Sequence, residues 1–200
     1  MLTDPASLAS MPVPMLAYCT PRTGLVLVSG PDPRVRRALL ASMFRTAQAR
    51  AQLALPFDPM FDGPVPLSLA GPHRGPLLLA EDIPPADFAV AVQRSVAGPA
   101  VYASLAAMTL ADLMEQAIAM LAPASRSVAL LILAHSLRLA VVHAPVGNKS
   151  AGRRRGCPEY LAFDDAVRSR MLDGSVRDWT ALLGDLAQRV IPLEEVGHVA

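Results

Sequence analysis

The fold is decided by the stretch Gly24-Leu-Val-Leu-Val-Ser-Gly-Pro-Asp-Pro-Arg-Val-Arg-Arg37. Its first part, Gly24 to Ser29, is a short apolar run with β-branched residues, which is typical of a strand buried on both faces. From Arg34 to Ala51 the chain has no Gly or Pro and repeats apolar residues at helical spacing. The residues predicted to share one side of this helix are Val35, Leu39, Met43 and Phe44. A strand, a short loop and a helix are therefore predicted in succession.

Two further strands are predicted downstream of this unit. Leu77 to Ala80 and Ala100 to Leu105 are short apolar runs, and Pro85 to Ala97 between them has a helical pattern that stops at Gly98-Pro99. Strands that alternate with helices indicate a parallel sheet with flanking helices. We therefore expect the three strands to lie in one α/β sheet.

The second half of the chain is predicted to be mainly helical. Leu110 to Leu121, with Thr109 as its N-cap, and Ser125 to Arg138 are two helices separated by Pro123. The connection is short, so the two helices are expected to pack together. The other predicted elements are an extended segment at 139–144, a short strand at 160–163, a helix after Asp164 that runs to 172, and a helical stretch at 176–189. These elements suggest a loose leader at 1–14, an α/β core at 15–108 and a helical C-terminal subdomain at 109–200.

Composition excludes several classes of protein. The chain has 200 residues, of which 52% are hydrophobic, so it is not intrinsically disordered. Only 4% are aromatic and the formal net charge is +1, which argues against a nucleic-acid partner. Two cysteines make no disulfide framework and fit a reducing cytosol. The N-terminus lacks signal-peptide features and no apolar run reaches about 18 residues. A cytoplasmic protein without a transmembrane segment is expected.

The loop after the first strand stands where a P-loop would stand, because it follows a buried strand and opens a helix. Gly30 is the one glycine of that motif that remains, and Pro31 and Pro33 each lack an N–H donor. Arg36 occupies the position of the motif's lysine, and Arg37 that of the Ser/Thr that binds Mg²⁺. The alternative is an ordinary strand–loop–helix connection with an exposed basic first turn.

In their order and spacing, these segments resemble the motor domain of the type IV pilus and type II/IV secretion ATPases, the PilT/GspE family. Thr23–Pro31 is similar to the family's strand and Walker A loop, Leu77–Ile83 to its Walker B segment, and Val101–Ala107 to its histidine box. Further similar segments lie at 113–121, 134–138, 152–161 and 191–196. The resemblance covers residues 24–200. It implies a RecA-like P-loop NTPase fold with a parallel central sheet and a helical C-terminal subdomain, and places Glu81 at the family's catalytic glutamate.

Several departures from the family pattern accompany the resemblance. The family's histidine falls on Ala106, and its Arg-Asp pair after the Walker B glutamate falls on Ile83-Pro84. Its aspartate box is reduced to Phe57-Asp58-Pro59, and its arginine-bearing segment is shortened to 59–76, with Arg74 as the only arginine. Together with the altered loop, these departures imply a degenerate motor domain that takes no cofactor.

The resemblance then implies a set of vestigial site residues. Gly30, Arg36 and Arg37 would be the remnant of the nucleotide loop, and Glu81 a remnant of the Walker B carboxylate. The structural alternative for Glu81 is a strand-end carboxylate that caps the following turn. No metal site is predicted, because His135, His143 and Cys157 do not have the close spacing of zinc ligands. The run Arg153–Arg155 is taken as a solvated turn.

The expected role is structural or regulatory. The resemblance implies a pilus, conjugation or secretion machine at the cytoplasmic face of the inner membrane, with an active motor ATPase as partner in a homo- or hetero-oligomer. One alternative is a divergent, active ATPase that uses Arg36 and Glu81 with ATP and Mg²⁺. A second alternative is a free-standing protein-interaction module.

Overall fold

The structure, a computed structural model, describes residues 18–19, 21, 23–50, 77–78, 85–97, 100–121, 125–143, 158–173 and 182. Its strands are β1 (Leu25–Ser29), β2 (Leu77–Leu78), β3 (Val101–Leu105), β4 (Leu137–His143) and β5 (Pro158–Ala162). Its helices of eight or more residues are α1 (Pro33–Arg50), α2 (Pro85–Ala97), α3 (Leu110–Leu121), α4 (Arg126–Ser136) and α5 (Asp165–Leu172).

The five strands form one sheet in the order β2-β3-β1-β4-β5. β1 lies at its centre and is parallel to both neighbours, with Leu25 opposite Val101 on one side and Leu137 on the other. β2 is parallel to β3, whereas β5 is antiparallel to β4. The prediction of an α/β fold with the first three strands in one sheet is confirmed.

Both faces of β1 are covered, because alternate residues of a strand point to opposite sides. Leu25 and Leu27 belong to the apolar cluster formed with α2, α3, α4 and α5. Val26 and Val28 belong to a second cluster, where α1 contributes its own buried residues. These α1 residues are Leu39, Leu40, Met43 and Phe44. The sheet is therefore sandwiched between helices, which fixes the position of the loop that follows β1.

The predicted pairing of the two helices around Pro123 is confirmed. α3 and α4 contact one another at an angle of 111° between them. Thr109 Oγ1 accepts a hydrogen bond from Asp112 N at 3.1 Å, as expected of the N-cap. The apolar face of α3, predicted to be a core face, is buried at Leu110, Leu113, Met114 and Ala117, whereas Leu121, predicted to share it, is half-buried. Within the described part of the chain, no single helix is long and apolar enough to cross a membrane, although this bent pair passes that test jointly.

The predicted end of α4 is wrong by two residues. The helix ends at Ser136, and Leu137 already belongs to β4. Burial explains the difference, since Leu137 pairs with Leu25 in the sheet and is completely buried. β4 and β5 also carry the sheet past residue 108, where the sequence suggested that the core ends. The division into core and C-terminal subdomain stays a prediction.

Asp164 caps α5 as predicted, since its Oδ1 accepts a hydrogen bond from Val167 N at 2.9 Å. Leu182 is helical and buried in the same cluster as α5. Several predictions lie outside the described residues: the leader at 1–14, the rest of the helix at 176–189, Phe57–Pro59, Arg74, Ile83–Pro84 and Arg153–Arg155.

Candidate nucleotide site

The candidate loop, Gly30 to Asp32, joins the carboxyl end of β1 to the N-terminus of α1. Because β1 lies between β3 and β4, this loop sits between the carboxyl ends of two other parallel strands. That edge of an open parallel sheet is where ligands bind in doubly wound folds. The loop therefore lies between a buried strand and a helix, as predicted. Whether it can bind phosphate depends on the hydrogen-bond donors that it exposes.

Ser29 connects β1 to the segment after β3. Its hydroxyl lies 2.7 Å from Leu105 O and 2.9 Å from Ala107 O, and accepts a hydrogen bond from Ala107 N at 2.8 Å. The side chain is completely buried. The last hydroxyl before the loop is thus hydrogen-bonded to the backbone at the end of β3 and after it.

Gly30 is required by its contact with β4. Its φ is +147°, and a Cβ added to it would lie 2.7 Å from His143 O. A side chain there would be strained and would collide with the backbone at the end of β4. The structure therefore accounts for this glycine without a ligand.

Asp32 is the N-cap of α1. Its Oδ1 accepts a hydrogen bond from Arg34 N at 2.8 Å, and its carbonyl accepts one from Arg36 N at 3.0 Å. Pro33 follows at the first helical position, where its missing N–H is tolerated. The first turn consequently offers few free donors, and a carboxylate stands at the helix N-terminus.

Arg36 folds back onto the loop. Its Nη1 donates a hydrogen bond to Gly30 O, and the residue is only 6% exposed. Arg34 and Arg37 are exposed on the same turn. The predicted exposed basic turn therefore holds for those two arginines and is wrong for Arg36, because the Gly30 carbonyl lies within reach of its guanidinium. The structure brings Arg36 and Gly30 together and leaves Arg37 apart from them.

His143 is half-buried at the end of β4, against Gly30. Burial lowers the pKa of its imidazole, while the nearby Asp32 carboxylate and a backbone hydrogen bond partly oppose that shift. The sequence predicts no metal site that combines His143 with His135. His135 lies in the last turn of α4, which precedes β4, so the length of β4 places it about 20 Å from His143. Among the described residues, no group of three or more possible metal ligands occurs.

Glu81 and Cys157 lie outside the described residues, and their predicted roles stay predictions. Ala106 is exposed directly after β3. Asp32 was missed as a site residue, although an Asp-Pro pair before a helix is a recognisable N-cap signal. Neither the role of Ser29 nor that of His143 has a comparable signal, because both depend on contacts between strands.

Three solved structures share this architecture. The ATPase DotB of Legionella pneumophila matches with a TM-score of 0.67 and 19% identity over 93% of this chain. The DotB ATPase of Yersinia pseudotuberculosis gives 0.60 and 15% over 94%. The pilus retraction motor PilT with bound ADP gives 0.63 and 16% over 90%. The chain has the fold of the DotB and PilT motor ATPases.

The likeness to these motor ATPases concerns part of each of them. The chain spans 58%, 55% and 57% of the length of the three structures. No protein-family model and no curated protein sequence matches the chain. The resemblance inferred from the sequence is confirmed at the level of the fold.

Proposed function

We propose that this chain is a motor-ATPase fold that neither binds Mg-ATP productively nor hydrolyses it, and that it serves as a non-catalytic component of a pilus or secretion machine. The observation that carries the proposal is the position of Arg36. Its guanidinium is buried and donates to the carbonyl of Gly30. The Arg36 guanidinium is thus bonded to the loop's own carbonyl, which supports a loop that is closed to phosphate.

The donors of the first helical turn support the same conclusion. Phosphate binding at a helix N-terminus depends on free backbone N–H groups and on the positive end of the helix dipole. Here Pro33 has no N–H, and Arg34 N donates to the Asp32 carboxylate. That carboxylate already supplies the negative charge that the dipole favours, and it would repel a phosphate group.

Magnesium also lacks its usual protein ligand in this loop. Arg37 stands where the motif has a hydroxyl, and a guanidinium repels a metal cation in the same place. The nearby hydroxyl of Ser29 is buried and bonded to the segment after β3. We therefore propose that the chain takes neither ATP nor Mg²⁺ as a cofactor.

Phosphoryl transfer is catalysed mainly by positioning and by electrostatic stabilisation of the phosphates. A glutamate that orients water has nothing to act on where no nucleotide is held. Glu81 is therefore proposed to be a vestigial Walker B carboxylate, and Gly30, Arg36 and Arg37 the remnant of the nucleotide loop.

The proposed partner is an active motor ATPase of the same fold, at the cytoplasmic face of the inner membrane. Support comes from the likeness to structures described as DotB ATPases and as a pilus retraction motor. A chain with the same fold can replace a subunit in a homo- or hetero-oligomer, or pack against it. This association gives a non-hydrolysing chain a structural or regulatory role.

The catalytic part of the proposal is tested by ATP turnover of the purified chain, alone and with a candidate partner ATPase. We expect no turnover by the chain alone, and unchanged turnover of the mixture when the chain carries Glu81→Gln. Turnover by the chain that Glu81→Gln abolishes would contradict the proposal and favour the divergent, active ATPase.

The partner is tested by co-purification of the tagged chain with an intact motor ATPase from the same cell. A stable complex that survives gel filtration is expected. A chain that elutes without any motor ATPase would contradict the machine role and leave the free-standing interaction module.

A further inference from the structure

A second site lies at the opposite end of the sheet from the candidate loop. A cavity of about 430 Å³ opens where β4 begins and where β5 ends. Arg138, the second residue of β4, and Arg168 of α5 line it together with Tyr18 and Phe163. The motor-ATPase loop after β1 contributes no residue to this cavity.

The two arginines are held in place by the carboxyl end of α4. Arg138 Nη1 lies 3.2 Å from both His135 O and Leu137 O. Arg168 donates from Nε to Ala134 O at 3.1 Å and from Nη2 to Leu137 O at 3.2 Å. Both guanidiniums thus share the Leu137 carbonyl, so their donor nitrogens lie within two hydrogen-bond lengths of each other.

This pair of cations is only partly neutralised by the protein. Asp165 Oδ1 lies 3.3 Å from Arg168 Nη1, and its side chain is fully exposed. Within the described ranges, Arg138 has no carboxylate at ion-pair distance. Its Nη1 donates to backbone carbonyls, whereas its Nη2 has no acceptor among the described residues. Burial, and secondarily the charge of Arg168, lowers the pKa of the Arg138 guanidinium. Two like charges at this distance favour an anion between them.

We propose that this cavity binds a carboxylate group, which bridges the guanidiniums of Arg138 and Arg168. Guanidinium groups bind planar oxyanions through paired N–H donors. Asp164 and Asp165 also line the cavity, and their carboxylates repel a dianionic phosphate more strongly than a monoanionic carboxylate. Phe163 and Tyr18 add aromatic surface for the carbon chain that carries the carboxylate. The ligand is either a small free carboxylate or an acidic side chain of a peptide.

The probes are glutarate, the blocked tripeptide Ac-Gly-Glu-Gly-NH₂, its Gln counterpart and inorganic phosphate. They are titrated into the ¹⁵N-labelled chain, and the Arg138 and Arg168 Nε–H signals are followed by NMR. Saturable shifts with glutarate or with the Glu peptide support the site, and the tighter of the two identifies the source of the carboxylate. The site is refuted if neither carboxylate gives a saturable shift, or if the Gln peptide or phosphate binds as tightly.

Arg138→Gln is expected to weaken carboxylate binding at least about tenfold, since it removes a charge-assisted hydrogen bond. The matched control is Arg170→Gln, an exposed arginine of α5 that does not line the cavity, and it should leave the affinity unchanged. Equal losses in the two variants would contradict the proposal.

Arg138 also caps α4, so its replacement can disturb folding, and a second variant tests the site independently. Asp165→Asn changes a fully exposed side chain and removes the carboxylate that competes for Arg168. Carboxylate binding should become about two- to fivefold tighter, as expected from the loss of an exposed ion pair. Unchanged or weaker binding in this variant would contradict the proposal. Because this cavity is separate from the loop, its failure would leave the proposed loss of ATPase activity untouched.

Discussion

Two side chains close the loop after β1. Asp32 caps α1 through Arg34 N, and Arg36 returns to the Gly30 carbonyl. Each contact uses a group that an open phosphate loop leaves available. The loop therefore uses its own side chains to satisfy polar groups at the start of α1. Each of these contacts can be tested by a single substitution.

Asp32→Ala should lower the free energy of unfolding by about 1 kcal/mol, the usual effect of losing an N-cap. Asp32→Asn is the matched control, because its side-chain oxygen still accepts from Arg34 N and should retain most of the stability. Urea denaturation at pH 7 measures both variants. Equal stability of the Ala variant and the parent would show that the cap does not stabilise α1.

His143 should make the protein less stable in mild acid. Its pKa is lowered by burial, so the unfolded chain takes up a proton near pH 6.5 while the folded chain does so only at lower pH. Stability from this group is complete above about pH 6.5 and is lost as the pH falls towards the folded pKa. Urea midpoints between pH 8 and pH 5 should fall less steeply for His143→Gln than for the parent. Identical slopes would contradict the assignment.

Neighbouring strands are joined at the element scale by Ser29. Its hydroxyl spans from β1 to Leu105 and Ala107 at the end of β3. Ser104, opposite Val28 in the paired strand, is also completely buried, and its hydroxyl has no hydrogen-bond partner among the described residues. The two serines differ in what their hydroxyls do, although their burial is the same.

Ser29→Ala should lower the free energy of unfolding by about 1–3 kcal/mol, because it leaves buried backbone groups of β3 and the following residues unsatisfied. Ser104→Ala is the matched control and should be neutral or slightly stabilising, since it removes a buried hydroxyl with no hydrogen-bond partner in the described part of the chain. Thermal or urea unfolding distinguishes the two. Equal losses would show that burial, and not the bond between strands, decides the effect.

The elements were largely predictable because their signals are local. β1 and β3 are short apolar runs, and α3 carries its N-cap and its core face in sequence order. The start of β4 was missed because Leu137 and Arg138 continue the apolar and polar pattern of α4. Only the pairing of Leu137 with Leu25 decides that they are extended. The burial of Arg36 was likewise unpredictable, since it depends on where the Gly30 carbonyl lies.

The two ends of the central sheet carry different features. One end of the sheet holds the loop in which Arg36 donates to Gly30 O, and the other end holds the cavity with Arg138 and Arg168. The fold likeness reaches 93% of the chain, and the proposed loss of the nucleotide site concerns only the loop after β1. The proposed structural role needs this architecture and does not need a loop that is open to phosphate.

The central claim is tested most directly by calorimetric titration of Mg-ATP into the purified chain and into its Arg36→Lys/Arg37→Thr variant. The double variant restores the lysine and the hydroxyl, but keeps Pro31, Pro33 and the Asp32 cap. We expect no binding at micromolar nucleotide by the parent, and at most weak binding, about millimolar, by the variant. Micromolar binding of Mg-ATP by the parent chain would contradict the claim that its loop is closed.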